Sequence, residues 1–253
     1  MGKSEQTAYF RRSGKRGGPV RCWEGKRIIV TWMACLAPFF APVGATAENG
    51  AAIYAQLQRA LAQEDLETVA SLVARGLDPN VSDREGNPLL VWAARHGKTE
   101  LVTTLLRHGA SVNQRNLVGE TALMAAAYGG YTQIAAQLIE AGAIFDHDGW
   151  NPLIYAAMQG HTAIVDLLLK AGANPNRASE NGMTPLMWAA RNGHAAVVAR
   201  LLTHGADTEA RSDRGYTAVT LALSKGETAI AQQIEAVRRQ KGLPPTQLNL
   251  SIE

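Results

Sequence analysis

Five stretches of this chain are nearly the same phrase. GNPLLVWAARHGK begins at Gly86, GETALMAAAYGGY at Gly119, GWNPLIYAAMQGH at Gly149, GMTPLMWAARNGH at Gly182 and GYTAVTLALSKGE at Gly215. Their opening glycines lie 33, 30, 33 and 33 residues apart. A fixed period in this range constrains the fold more tightly than any other signal in the chain. One short unit recurs, it is too small to bury its own apolar face, and neighbouring units must stack to make a continuous core.

The unit itself can be read from local chemistry. In TPLMWAARNG, the Thr184 hydroxyl suits a helix N-cap, and Pro185 suits the first helical position, where no N–H is needed. Asn151 and Pro152 do the same one unit earlier. Gly193 then ends a first helix of about three turns by taking the left-handed conformation. A second helix follows in AAVVARLLTH, with Val197, Val198, Leu201 and Leu202 on one face. Gly205 stops it, as Gly76, Gly109, Gly142 and Gly172 stop its counterparts. Each unit is a short helix, a tight turn, a longer helix and a loop.

The period and the T-P-L-x-x-A-like core resemble the ankyrin repeat, over roughly residues 51–242. The resemblance implies an all-α solenoid of stacked helix-turn-helix units with loop or short β-hairpin tips, and no catalytic activity. It is carried by full units at 83–115, 116–145, 146–178 and 179–211. A worn unit at 48–82 reads as an N-terminal cap, because Val69, Leu72 and Val73 match Val102, Leu105 and Leu106 while the opening Gly and the Pro are missing. A second worn unit at 212–242 reads as a C-terminal cap, with Gln and Arg replacing apolar positions as a solvent-facing end requires, and a flexible tail follows at 243–253. One departure is consistent. Where the family's core has its His, this chain has Val91, Met124, Ile154, Met187 and Thr220, so the loop-fixing bonds of that His are absent.

The overall charge of +3 hides a division. Residues 1–47 hold eight Lys or Arg and two Glu, a net of +6, which leaves −3 for the rest. The repeats therefore lack a basic stripe for phosphate, and nucleic acid is excluded as a partner. The basic segment GKRGGPVRCWEGKR runs into the apolar IIVTWMACLAPFFAPVG and then ATAENG. Basic, apolar and small-x-small in that order describe a signal peptide over residues 1–47, with Ala45 and Ala47 at the small positions and cleavage after Ala47. An inner-membrane anchor is the alternative. Its apolar run, residues 28–44, contains Pro38 and Pro42 and falls short of the ~20 residues a spanning helix needs. Arg11-Arg12 lacks the apolar pair of a twin-arginine signal, and Cys35 lacks a lipoprotein context. The length of the basic region leaves the translation start open, Val20 being one candidate. Both cysteines, Cys22 and Cys35, fall in the presequence, so the mature chain carries no thiol, as suits an oxidising compartment. The expected location is the periplasm, with membrane contact only through the presequence.

Catalytic chemistry finds no footing. The chain has no C-x-x-C, H-E-x-x-H, phosphate loop or G-x-S-x-G turn. His161 and His194 share one repeat position and read as turn residues, as do His108 and His204. Asp146, His147 and Asp148 supply too few ligands for a metal. No cofactor is expected. The resemblance implies a protein partner, met by a monomer at the loop tips and at the concave face of first helices. The outward first-helix positions are Trp92, Arg95 and His96; Ala125, Tyr128 and Gly129; Tyr155, Met158 and Gln159; and Trp188, Arg191 and Asn192. Trp, Tyr and Arg dominate binding hot spots, and the same rings could equally fill the groove between neighbouring helices. Trp92 with Arg95, and Trp188 with Arg191, are expected to set a ring beside a guanidinium, and small Ala125 and Gly129 to open a hollow before Tyr155. The loop after Gly142 is three residues shorter than its counterparts and carries Asp146, His147, Asp148 and Trp150, which suggests a notch in the row of tips. The rival function is a small-ligand binder or an enzyme, which would need a deep pocket of converging polar groups.

Overall fold

The computed structural model describes residues 43–246. Among them lie twelve α-helices, no extended strand, and two isolated antiparallel bridges, Ser82 with Pro88 and Arg115 with Thr121. The helices come in pairs: α1 (Val43–Ala62) with α2 (Leu66–Ala74), α3 (Leu89–Arg95) with α4 (Thr99–Arg107), α5 (Ala122–Gly129) with α6 (Thr132–Glu140), α7 (Pro152–Gln159) with α8 (Thr162–Lys170), α9 (Pro185–Arg191) with α10 (Ala195–Thr203), and α11 (Ala218–Ser224) with α12 (Thr228–Gln240). From α3 onward, each first helix packs on the first helix of the next pair. From α2 onward, each second helix packs on the next second helix. This is an all-α repeat solenoid. The presequence expected at 1–47 lies outside the described residues except for its end, and the expected cleavage point after Ala47 falls within the span of α1.

From α3 onward the first helices are shorter than the three turns expected, seven or eight residues each. Two starts are set as read, with Asn151 and Thr184 accepting the N–H of Ile154 and Met187, and Thr121 and Thr217 accept those of Met124 and Thr220 in the same way. The first full unit differs. Pro88 occupies its N-cap position and offers no side-chain bond, while Asn87 one residue earlier is buried and donates to Asp83.

A single apolar core runs from Leu57 to Ile234. The positions that replace the family's His are part of this buried layer at Val91, Met124, Ile154 and Met187. At Thr220 the replacement is a hydroxyl that accepts from the Thr217 backbone N–H at 2.8 Å. Apolar packing and a local cap thus occupy the place of the missing imidazole bonds.

The turn residues do their work between units. Gly160 has φ +81, and the His194 ring of the next unit lies where a Cβ on Gly160 would sit, within 2.6 Å. His194 Nε2 meets the Met158 carbonyl at 3.0 Å, and His161 Nε2 meets the Tyr128 carbonyl at 3.1 Å. Tyr131 and Glu227 take the same seat in their units, against Gly97 and Gly193. In the N-terminal unit the turn glycine is replaced by Glu64, which holds φ 53 and pairs with Lys98 Nζ at 2.5 Å.

The C-terminal unit corrects the sequence reading. Arg238 is not a solvent-facing substitution: it is 4% exposed, and its guanidinium donates to the Thr208 carbonyl at 3.2 Å and the Pro244 carbonyl at 2.9 Å. Thr246 N–H donates to Glu235 Oε1 at 3.0 Å. The start of the segment expected to be a free tail, residues 243–246, is thereby tied to α12, while 247–253 lie outside the described residues.

Candidate functional site

The loops between units are fixed before any ligand is considered. Asp83 and Asn116 each accept two backbone N–H groups of their own tip, those of Glu85 and Asn87 and those of Val118 and Glu120. Asn80, Asn113 and Asn176 each accept a backbone N–H from the next unit, those of Ser111, Ile144 and Asp207, at 2.7–2.8 Å. Asp146 stands at this Asn position in the short loop. It accepts Arg177 Nε at 3.1 Å instead, and Asp148 accepts Arg177 Nη1 at 2.5 Å. Arg177 spans to the shortened loop from the next unit.

The missing residues would have formed a tip. The full tips of the flanking units therefore stand on either side of the short loop, and a hollow of about 490 Å³ lies between them. Its walls are Arg115, Val118, Gly119 and Glu120 on one side and Glu180 on the other, with Met124, His147, Asp148, Trp150 and Tyr155 also lining it. Trp150 stacks on Tyr155, centroids 5.3 Å apart at 28°, and lies 5.5 Å from Trp188. Tyr128 meets Tyr155 edge-on at 5.9 Å, and Arg191 sits 5.5 Å over the Trp188 ring. Burial, with Glu120 and Tyr128 adding to it, raises the Tyr155 phenol above its ordinary value, so the ring is neutral at physiological pH.

The expected surface is therefore two clusters rather than one row. Tyr128, Trp150, Tyr155, Trp188 and Arg191 are contiguous, beside Asp146, His147 and Asp148. Trp92, Arg95 and His96 stand apart at the N-terminal end, where they line a smaller hollow of about 230 Å³ with Gln58 and Asp83. The two Trp–Arg pairs are not alike. Trp188 carries its guanidinium as expected, but Trp92 is 8% exposed and stacks on His96 at 4.3 Å, while Arg95 ion-pairs with Glu120 of the next unit. Trp92 therefore belongs to the core. Ala125 does too, at 2% exposure, and the seat above Gly129 is filled by the Tyr131 ring. The hollow beside Tyr155 owes its existence to the short loop and not to these small residues. Met158 is half-buried, and its carbonyl is taken by Asn192 and His194.

Arg177, Glu120 and Glu180 were missed as parts of this surface. Arg177 was findable by register, since it occupies in the next unit the place that His147 has in the short one. Leu117 and Val118 were missed as well. They form the neighbouring tip and are 85% and 84% exposed, the most exposed large apolar side chains among the described residues.

The arrangement is a stack of helix pairs whose individuality lies in its loops, which defines a repeat scaffold. Models of ankyrin repeats match residues 57–146, 90–179 and 168–222. The chain belongs to the ankyrin-repeat family, whose members are in general non-catalytic modules of protein–protein interaction. Among curated proteins no match is found.

Proposed function

We propose that this protein is an exported ankyrin module that binds or modulates another protein in the periplasm, as a monomer, through the surface around the short loop. The observation that carries the binding reading is the contiguous aromatic run of Tyr128, Tyr155, Trp150 and Trp188 beside the exposed Leu117–Val118 tip. Aromatic side chains at a rim of polar groups are what hot spots are made of. Export rests on the order of basic, apolar and small residues before Glu48.

Mass determination on the protein isolated from its host is expected to find Glu48 at the N-terminus. Recovery of the intact chain in the inner membrane contradicts export and favours the anchor. Cross-linking in the periplasmic fraction is expected to join the protein to a partner, with contacts mapping to residues 115–120 and 146–150. Cross-links that map only to the second helices move the binding surface elsewhere.

A further inference from the structure

We propose that the hollow over the short loop receives the basic side chain, lysine or arginine, of an extended partner segment, with the Leu117–Val118 tip taking an adjacent apolar residue. This rests on the reading of the protein as an interaction module and names the chemistry of what it binds.

Charge comes first. Three carboxylates line the hollow, Glu120, Asp148 and Glu180, against one base, Arg115. The outer sides of two carboxylates are already neutralised. Glu120 Oε2 meets Arg95 and Asn116 Nδ2, and Asp148 Oδ1 meets Arg177. Glu180 is exposed and has no ion pair among the described residues. Arg115 is turned to its own tip, where Nη1 donates to the Gly119 carbonyl at 2.6 Å. Arg177 is shared by Asp148 and Asp146, so Glu120, Asp146, Asp148 and Glu180 stand against Arg95, Arg115 and Arg177, and the hollow is left with a surplus of one negative charge and with free carboxylate acceptor positions.

The walls agree with the charge. Trp150 and Tyr155 present aromatic surface, which attracts an ammonium or guanidinium within about 6 Å of a ring centroid. The neutral Tyr155 leaves that attraction to the ring and not to a phenolate. An anionic or purely apolar occupant would leave these carboxylates unpaired. The occupant is a side chain on an extended segment because the hollow lies between two projecting tips, and an extended strand crossing them reaches the apolar Val118 in its wall within one or two residues, with Leu117 of the same tip lying beyond it beside Gly86.

The test uses the protein labelled with ¹⁵N and terminally blocked peptides Ala-Leu-Xaa-Leu-Ala, where Xaa is Arg, Lys, norleucine or Glu. Indole N–H signals are followed by NMR, that of Trp150 being assigned by its loss in W150F. The Arg and Lys peptides are expected to shift the Trp150 signal, at least tenfold more tightly than the norleucine peptide, and more weakly as salt is raised. Glu180→Gln, at an exposed tip where folding is not at stake, is expected to weaken the Arg peptide about threefold or more and to flatten its salt dependence. Equal binding of the norleucine peptide, no shift with either basic peptide, or an unchanged E180Q overturns the proposal. If cross-linking still joins the protein to a periplasmic partner in that event, the interaction reading stands and only the basic-side-chain reading falls.

Discussion

The second helices and the loop edge of this molecule obey different rules. Along α4, α6, α8 and α10 the same buried apolar positions recur without interruption: Val102 and Leu105, Ala135 and Leu138, Val165 and Leu168, Val198 and Leu201. At the loop edge no two tips are alike. One exposes Leu117 and Val118, the next is cut back to Asp148–Gly149, and the next projects Glu180. A period imposed by packing cannot be broken in a helix without breaking the core, because each unit is the neighbour that buries the next. A loop carries no such debt. Its length can change at small entropic cost, so the edge is where one stack becomes different from another.

The sharpest break in this comparison is between two tryptophans. Trp92 is buried in the helical layer, and W92A is expected to cost about 3–5 kcal/mol of stability, read by denaturant unfolding. Trp150 is half-buried at the edge, and W150A is expected to cost no more than about 2 kcal/mol. Equal losses would mean that the edge is as much a part of the core as the helices. Next comes Arg238, where the apolar layer ends in a buried guanidinium. R238A strands the carbonyl of buried Thr208, releases the Pro244 carbonyl to solvent and is expected to cost about 1–3 kcal/mol. Unchanged stability would return Arg238 to the solvent-facing role that its place in α12 suggests.

Smaller still is the effect at Glu64, where the stack begins. Lys98 beside it, through hydrogen bond and charge, lowers its carboxyl below the ordinary 4.5. A depressed carboxylate contributes stability at pH above 4.5 and loses it as pH falls through the lowered value. The stability difference between the native chain and E64Q is therefore expected to shrink on acidification below about pH 4.5. A difference that is flat from pH 6 to pH 3 would show the pair to be without consequence, which the exposure of Glu64 makes the competing outcome.

The fold was legible because it is written five times. Repetition at 33 residues, capping threonines before apolar runs, and glycines at the stops specify helix pairs and their order without reference to any long-range contact. The surface was half legible. Residues at equivalent places share a backbone environment but not neighbours, so Trp92 and Trp188 looked alike in sequence and differ in space: one meets His96 and the core, the other meets Trp150 and Arg191. Ala125 looked outward by spacing alone, yet the first helices have only two turns and adjoining units cover it. The short loop was visible as a count. Which residues gather around it was not, since Arg177, Glu120 and Glu180 come from the neighbouring units, about thirty positions away. Arg238 was hidden by composition, because a charged residue in a terminal helix reads as exposed until its carbonyl partners are known.

The separation of helical layer from loop edge is tested most directly by restoring the missing tip. Three residues, Arg-Asn-Leu, inserted after Asp146 would give the short loop the length of its neighbours and fill the hollow beside Trp150 and Tyr155. Thermal melting of this variant is expected to shift by less than about 4 °C, since the loop closure term is small and the Arg177 pairs at risk lie near the surface. The Trp150 indole signal is expected to move, because its surroundings change. A fall of more than about 10 °C would show that the short loop is part of what holds the units together, and the division between a fixed stack and a free edge would be wrong.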